Sequence, residues 1–427
     1  MLSWMSEAFW IGFGFIATVL ALLAGTRFLT KLLSTDEYGR LALAVSLTAL
    51  AVQIFGDPIG KTAVRFYSHW CEAGKPYGFM QNIGRSLIYA VAGIVLCCSV
   101  AFISGYWVNG CPDFSFIMVT GFFAILLVLN RIAFALEDAA RKRRFRGIIQ
   151  GVFEVMRFFF AIALIILLSV PEAEIVLSGF VIAGVLVVIA HSVFLYAHLS
   201  STRVESSGGS HLLPVSDTVS MQSFQFPLIL SSACIWLVMM AERWILNHYG
   251  IPEDVGGYAA VYQLAFIPML FISNFLILFI EPILYQVISL DGKTSSSLNL
   301  IRINHYAAMG ILFVTFILFI VLLFYYPAVG YFFLGVEFRP YSWIFPWLVL
   351  SGGCFAATQQ LLLKLSCQMR TDLLAVLWSG VAAIAVTAYI IGVSFWQLKG
   401  LIAAIVTINV SLVIFSLFYL NRLVSQK

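Results

Sequence analysis

The chain has 427 residues, 62% of them hydrophobic and 10% charged, with a formal net charge of +4 and a mean hydropathy of +0.99. Soluble domains carry roughly 25% charged residues, so the composition is that of a polytopic membrane protein and excludes a large soluble catalytic domain. The seven cysteines form no disulfide framework: Cys97, Cys98, Cys234 and Cys354 sit in apolar runs, Cys71 and Cys367 in short polar loops, and Cys111 stands alone at the opposite face.

A spanning helix needs about 20 apolar residues, and that rule predicts twelve helices in an all-α membrane fold. The first, 8 to 33, has no basic leader and carries Arg27 and Lys31 at its end, so it reads as a retained span and not a signal peptide. Spans at 40 to 60, 84 to 106, 114 to 137, 147 to 169 and 175 to 198 complete an N-terminal lobe, 1–199. The segment Lys61 to Arg85, with Arg65, Phe66, Tyr67, His69 and Trp70, reads as an interfacial amphipathic helix anchored at the headgroups. A polar linker at 200–221 carries Ser-Ser-Gly-Gly-Ser. The C-terminal lobe, 222–427, then follows with spans at 222 to 247, 257 to 285, 303 to 326, 341 to 363, 372 to 393 and 399 to 421.

Sixteen of the 24 Lys and Arg fall at one face, including the run Arg141 to Arg146, against Lys31, Arg40, Arg339 and Lys399 at the other. The positive-inside rule then puts both termini and the linker in the cytoplasm, with the basic run as a topology determinant beside anionic lipid.

The two lobes echo one another. Thr26-Arg27-Phe28-Leu29 followed by Asp36-Glu37-Tyr38-Gly39 registers, with one residue inserted, on Glu242-Arg243-Trp244-Ile245 followed by Glu253-Asp254-Val255-Gly256. Such a repeat predicts two six-helix bundles around a central cavity.

Within the spans lie four basic residues, Arg27, Arg131, Arg157 and Arg243, and four acidic ones, Asp57, Glu154, Glu242 and Glu281. A charge at the bilayer centre costs at least about 2.5 kcal/mol, so these residues should face water or each other. Gln150, Glu154 and Arg157 recur at helical spacing, which brings Glu154 and Arg157 close enough to pair. Ser46, Gln53 and Asp57 make a similar stripe. Arg243 with Glu242, and Arg131, could instead snorkel toward the nearest membrane surface. Guanidinium groups in such a cavity suit a phosphate-bearing substrate, because they stay charged and offer forked donors. The carboxylates leave coupling to H+ or Na+ open. No cysteine or histidine cluster suggests a metal, no cofactor is implied, and nothing marks a nucleic acid as partner.

The stretch Gly25-Thr26-Arg27-Phe28-Leu29-Thr30-Lys31-Leu32-Leu33-Ser34, then Glu37-Tyr38-Gly39, Gly56-Asp57-Pro58-Ile59-Gly60 and Arg65-Phe66-Tyr67, resembles the opening of polysaccharide flippases. These are the Wzx-type branch of the multidrug/oligosaccharidyl-lipid/polysaccharide (MOP) exporter superfamily, whose fold is the one shared with MATE transporters. The resemblance implies a non-enzymatic flippase in the bacterial inner membrane. Its substrate would be an undecaprenyl-diphosphate-linked oligosaccharide, moved by alternating access for O-antigen, capsule or exopolysaccharide synthesis, with membrane lipids and polysaccharide polymerase machinery as partners. The family's cationic cavity carries over onto Arg27, Arg157 and Arg243. Lipid II flippases have two further helices, and drug exporters of the superfamily a carboxylate in the first span; this chain has neither. The competing readings are a cation-coupled small-molecule antiporter of the same fold and a membrane-embedded glycan polymerase.

Overall fold

The computed structural model describes residues 2–72, 76–109, 114–202, 216–290, 295–367 and 371–425. Residues 203–215 of the expected linker and the side chains of Cys71, Cys111, Cys367 and Glu281 lie outside the described residues. The helices are α1 (Leu2–Leu32), α2 (Thr35–Ala51), α3 (Asp57–Glu72), α4 (Pro76–Asn109), α5 (Phe114–Ala139), α6 (Arg143–Leu168), α7 (Ala173–Thr202), α8 (Ser216–Tyr249), α9 (Pro252–Leu290), α10 (Ser295–Phe333), α11 (Phe345–Cys367) and α12 (Thr371–Ser425).

Among the described residues ten stretches are long and apolar enough to cross a membrane. One of them, Leu373–Phe418, runs to 46 residues and is broken by non-helical backbone at Trp396 and Gln397, where φ of Gln397 is 50°. A Cβ on Gly400 would lie 1.9 Å from the carbonyl oxygen of Gly392, so the two halves of α12 meet closely beside the break. The remaining spanning-length helix, α11, is interrupted by Gln359, Gln360 and Lys364. It tolerates the two glutamines because its described side chains are almost all buried against α9, α10 and α12. Dividing the long stretch and adding α11 yields the twelve spans of the sequence reading. The outer segment expected as a loop around Tyr326 to Pro340 is instead helical, with α10 reaching Phe333 and a 3-10 stretch over Val336–Ile344.

Cα proximity divides the chain into two compact units, Met1–Ala21 with Leu43–Trp236, and Leu22–Ala42 with Leu237–Lys427. The C-terminal end of α1 and the start of α2, which the sequence reading groups with the N-terminal lobe, thus cluster with the second unit.

In unit 1, α2 does not end at 60. It passes through one widened π turn, Val52–Gly56, directly into α3. Pro58 explains the widening, since a proline inside a regular helix removes one hydrogen bond and collides with the carbonyl four residues back. The interfacial reading of this segment is corrected here. Ile59, Ala63 and Trp70 of α3 are buried with Phe79 and Ile83 of α4 and with Ile132 and Leu136 of α5, so the apolar face of α3 serves the protein core and not the lipid headgroups. Between α5 and α6 the chain turns at Arg141, which takes φ of 56°. Lys142 N–H donates to the Glu137 carbonyl at 2.8 Å and Arg141 N–H to that of Asp138 at 3.1 Å, a Schellman closure.

In unit 2, buried polar side chains tie α9 to α12 together. Gln360 and Asn304 exchange bonds of 2.6 and 2.8 Å, Ser273 donates to the Ala356 carbonyl, and Asn409 donates to Ser351 at 2.7 Å. In an apolar surrounding such pairs hold helices in register where hydrophobic burial offers little discrimination. The repeat-equivalent glycines meet: a Cβ on Gly39 would lie 3.2 Å from Gly256 N, and one on Gly256 would lie 1.9 Å from the Thr35 carbonyl oxygen.

Candidate functional site

Six of the eight intramembrane charges fall into three pairs, Asp57–Arg131, Glu154–Arg157 and Glu242–Arg243. In unit 1 the π turn brings Asp57 against α5, where its carboxylate is 2.5 Å from Arg131 Nε, and Gly56 admits the Arg131 stem, whose Cγ would be 3.2 Å from an added Cβ. The extra residue in the turn also takes Asp57 off the stripe expected with Ser46 and Gln53. Ser46 Oγ donates to the Leu43 carbonyl of its own helix, and the Ser46 carbonyl accepts from Trp236 Nε1. Arg131 is partly exposed, at 44%.

On α6, Glu154 and Arg157 are 2.8 Å apart and about equally buried, at 15% and 16% exposure. The pairing read from their spacing is present. Arg157 lies against Phe158 and Phe180, with its guanidinium 4.8 and 5.4 Å from their ring centres, and its Nε donates to no partner among the described residues. Gln150 does not join this pair. It accepts from Arg146 at 2.9 Å and donates to Thr18 on α1.

In unit 2, Arg27 donates to the Phe332 carbonyl and sits 4.5 Å over the Phe332 ring, at the end of α10. Arg243 and Glu242 do not snorkel: they are 4% and 1% exposed. Their closest charged atoms are 3.9 Å apart. Tyr258 hydroxyl donates to Glu242 at 3.2 Å, and Arg243 lies 4.7 Å from the Tyr262 ring centre. Glu242 also lines a small cavity with Tyr258, Tyr262, Phe266, Phe355 and Asn409, and one Glu242 oxygen and Asn409 Oδ1 accept from no partner among the described residues. Glu281 lies on α9 with its side chain outside the described residues.

Two features escaped the sequence reading. Arg146, counted in the basic run as a lipid-facing topology determinant, is 5% exposed, pairs with Asp138 at 2.9 Å and lies 5.4 Å from the Phe134 ring centre. That residue's role is corrected to an internal cation of unit 1. Glu137 on α5 and His191 on α7 are buried together, with His191 Nδ1 2.5 Å from the Glu137 carboxylate and Nε2 2.8 Å from Asn130 Oδ1. The signal was available in part, since Asn130 and Glu137 are seven residues apart on one face of α5. His191 carries no local sign of its partner.

Residues 5–288 match the family described as polysaccharide biosynthesis protein, and the chain belongs to that family. No curated protein matches its sequence. Among solved structures, a mutant of the Vibrio cholerae MATE transporter VcmN aligns over 99% of this chain and 96% of its own at 14% identity, with a TM-score of 0.69. An inward-facing multidrug resistance MATE family transporter of the MOP superfamily aligns over 96% and 95% at 13% identity, with a TM-score of 0.71. The all-α MATE-like fold and the family are those that the sequence resemblance implies.

Proposed function

We propose that this multi-pass member of the polysaccharide biosynthesis family is a flippase that carries an undecaprenyl-diphosphate-linked oligosaccharide across the bacterial inner membrane by alternating access. The linker and both termini face the cytoplasm in this reading. Family membership supports a saccharide cargo and the MATE-like fold supports transport.

The observation that carries the substrate class is Arg157. A guanidinium held in the middle of a spanning helix, with a carboxylate on one donor, aromatic rings beside it and Nε unbonded, keeps one donor in reserve. A diphosphate oxygen is the ligand that would take it, since charge-assisted bonds to phosphate are the strongest available to Arg. Arg27, Arg243 and Arg131 are proposed to contribute further positive charge as the head group passes, with Glu154 as the anion that the diphosphate displaces. Asp57, Glu242 and Glu281 are the remaining carboxylates available to this path. Once across, the lipid-linked unit would be consumed by polymerase machinery at the outer surface.

Replacing Arg157 by Ala should abolish surface glycan in cells while the protein still accumulates in the membrane. Arg157→Lys should restore part of it, because ammonium keeps the charge and loses the fork. Wild-type glycan levels in the Ala variant overturn the assignment.

A further inference from the structure

Unit 1 contains a second buried ionisable centre that the diphosphate reading leaves without a task. Glu137, Asn130 and His191 are 0%, 6% and 2% exposed. Both nitrogens of the His191 ring face oxygen atoms, at 2.5 Å from Glu137 and 2.8 Å from Asn130. A neutral imidazole carries one N–H and can donate to only one of these oxygens, so either the Asn130 amide turns its N–H2 to the ring or the ring takes up a second proton. The second Glu137 oxygen is buried with no hydrogen-bond partner among the described residues. It is a further acceptor for a proton. Phe134 and Phe145 enclose the ring edge-on, at 4.9 and 6.0 Å between centres.

The charged groups around this pair come from two helices. Asp138 and Arg146 act on Glu137, and Arg131, Arg143 and Arg146 act on Asp138. Asp138 and Arg146 neutralise one another at 2.9 Å, which leaves the pair to balance its own charge. From Arg146 the bonds continue through Gln150 to Thr18, three residues before α1 passes from unit 1 to unit 2.

We infer that Glu137 and His191 together form a proton-binding site that couples the transport cycle to the proton gradient. The inference rests on the transport reading above and supplies its missing ion. With one proton shared between them the pair is neutral, as carboxylate and imidazolium. When the proton leaves from Nε2, His191 keeps its Nδ1–H toward Glu137, the site gains one negative charge, and Nε2 becomes an acceptor. The Asn130 amide then turns to present its N–H2. A net charge in so dry a place is costly unless neighbours rearrange, and the cation that acts on Glu137 is Arg146, whose bonds lead to α1.

The experiment uses the full chain in detergent at neutral pH, with undecaprenyl diphosphate as probe. Proton exchange with solvent on binding is read from calorimetric heats in buffers of different ionisation enthalpy. Wild type should exchange up to about one proton per protein on binding, and Glu137→Gln and His191→Gln should bind the probe with that exchange lost. Unchanged exchange in both variants overturns the inference. Failure of the wild type to bind overturns the diphosphate reading instead, and a second measurement then decides the pair by itself: 15N NMR of histidine-labelled wild type, with His191 assigned from the His191→Gln spectrum. The His191 nitrogens should move between imidazolium and neutral signatures as pH rises from 5 to 9. Constant ring-nitrogen shifts over that range overturn the proton site.

Discussion

The exits of α1 and α8 carry the same written pattern and meet different surroundings. Arg27 and Arg243 are equivalent in the repeat, as are Gly39 and Gly256. Yet Arg27 is only half-buried and spends its charge on a backbone carbonyl and a ring of α10, whereas Arg243 is 4% exposed beside Glu242. The residue before each arginine makes the difference. Thr26 brings no counter-charge, while Glu242 brings one and is itself held by Tyr258. A duplicated backbone corner therefore supports one arginine that is half-buried and one that is buried beside a carboxylate.

The sharpest way to break this contrast is Glu242→Ala. Removing one member of a buried pair leaves the other uncompensated, which costs about 3 to 5 kcal/mol. The variant should melt far below wild type in detergent, and a wild-type melting curve would show that Arg243 does not need the Glu242 carboxylate beside it. Next in size is the difference between the two glycines. A Cβ on Gly256 would collide with the Thr35 carbonyl at 1.9 Å, while one on Gly39 meets Gly256 N at 3.2 Å. Gly256→Ala should lose about 1 to 3 kcal/mol through overpacking, and Gly39→Ala markedly less. Equal melting temperatures would mean that the corner yields freely and that the asymmetry is not built into the backbone. The smallest stability effect belongs to Arg27→Ala, about 1 kcal/mol for a cation over one ring face. Its surface glycan should nevertheless fall steeply. Normal glycan from this variant would remove Arg27 from the substrate path and leave the half-buried arginine without a role.

Much of this was legible from residues alone. Apolar runs of spanning length disclosed the ten long apolar stretches found among the described residues and the break near 396 inside one of them, because the polar backbone must be satisfied internally in lipid and only helices do that within one segment. The Glu154–Arg157 pair was legible too, since three residues make nearly one helical turn. The π turn at 52–56 was only hinted at by Pro58, and its consequence, Asp57 facing Arg131 across 74 positions of sequence, was not.

What the sequence by itself determined is everything of short range: the spans, the repeat and the charges that must find partners in the membrane. Tertiary structure alone decided which partners they find. Arg146 looked like a headgroup cation and is an internal one, and His191 and Glu137 meet across 54 residues. The physical reason is that the cost of burying a charge is paid locally while its compensation comes through space, from whichever neighbouring helix presents the complementary group.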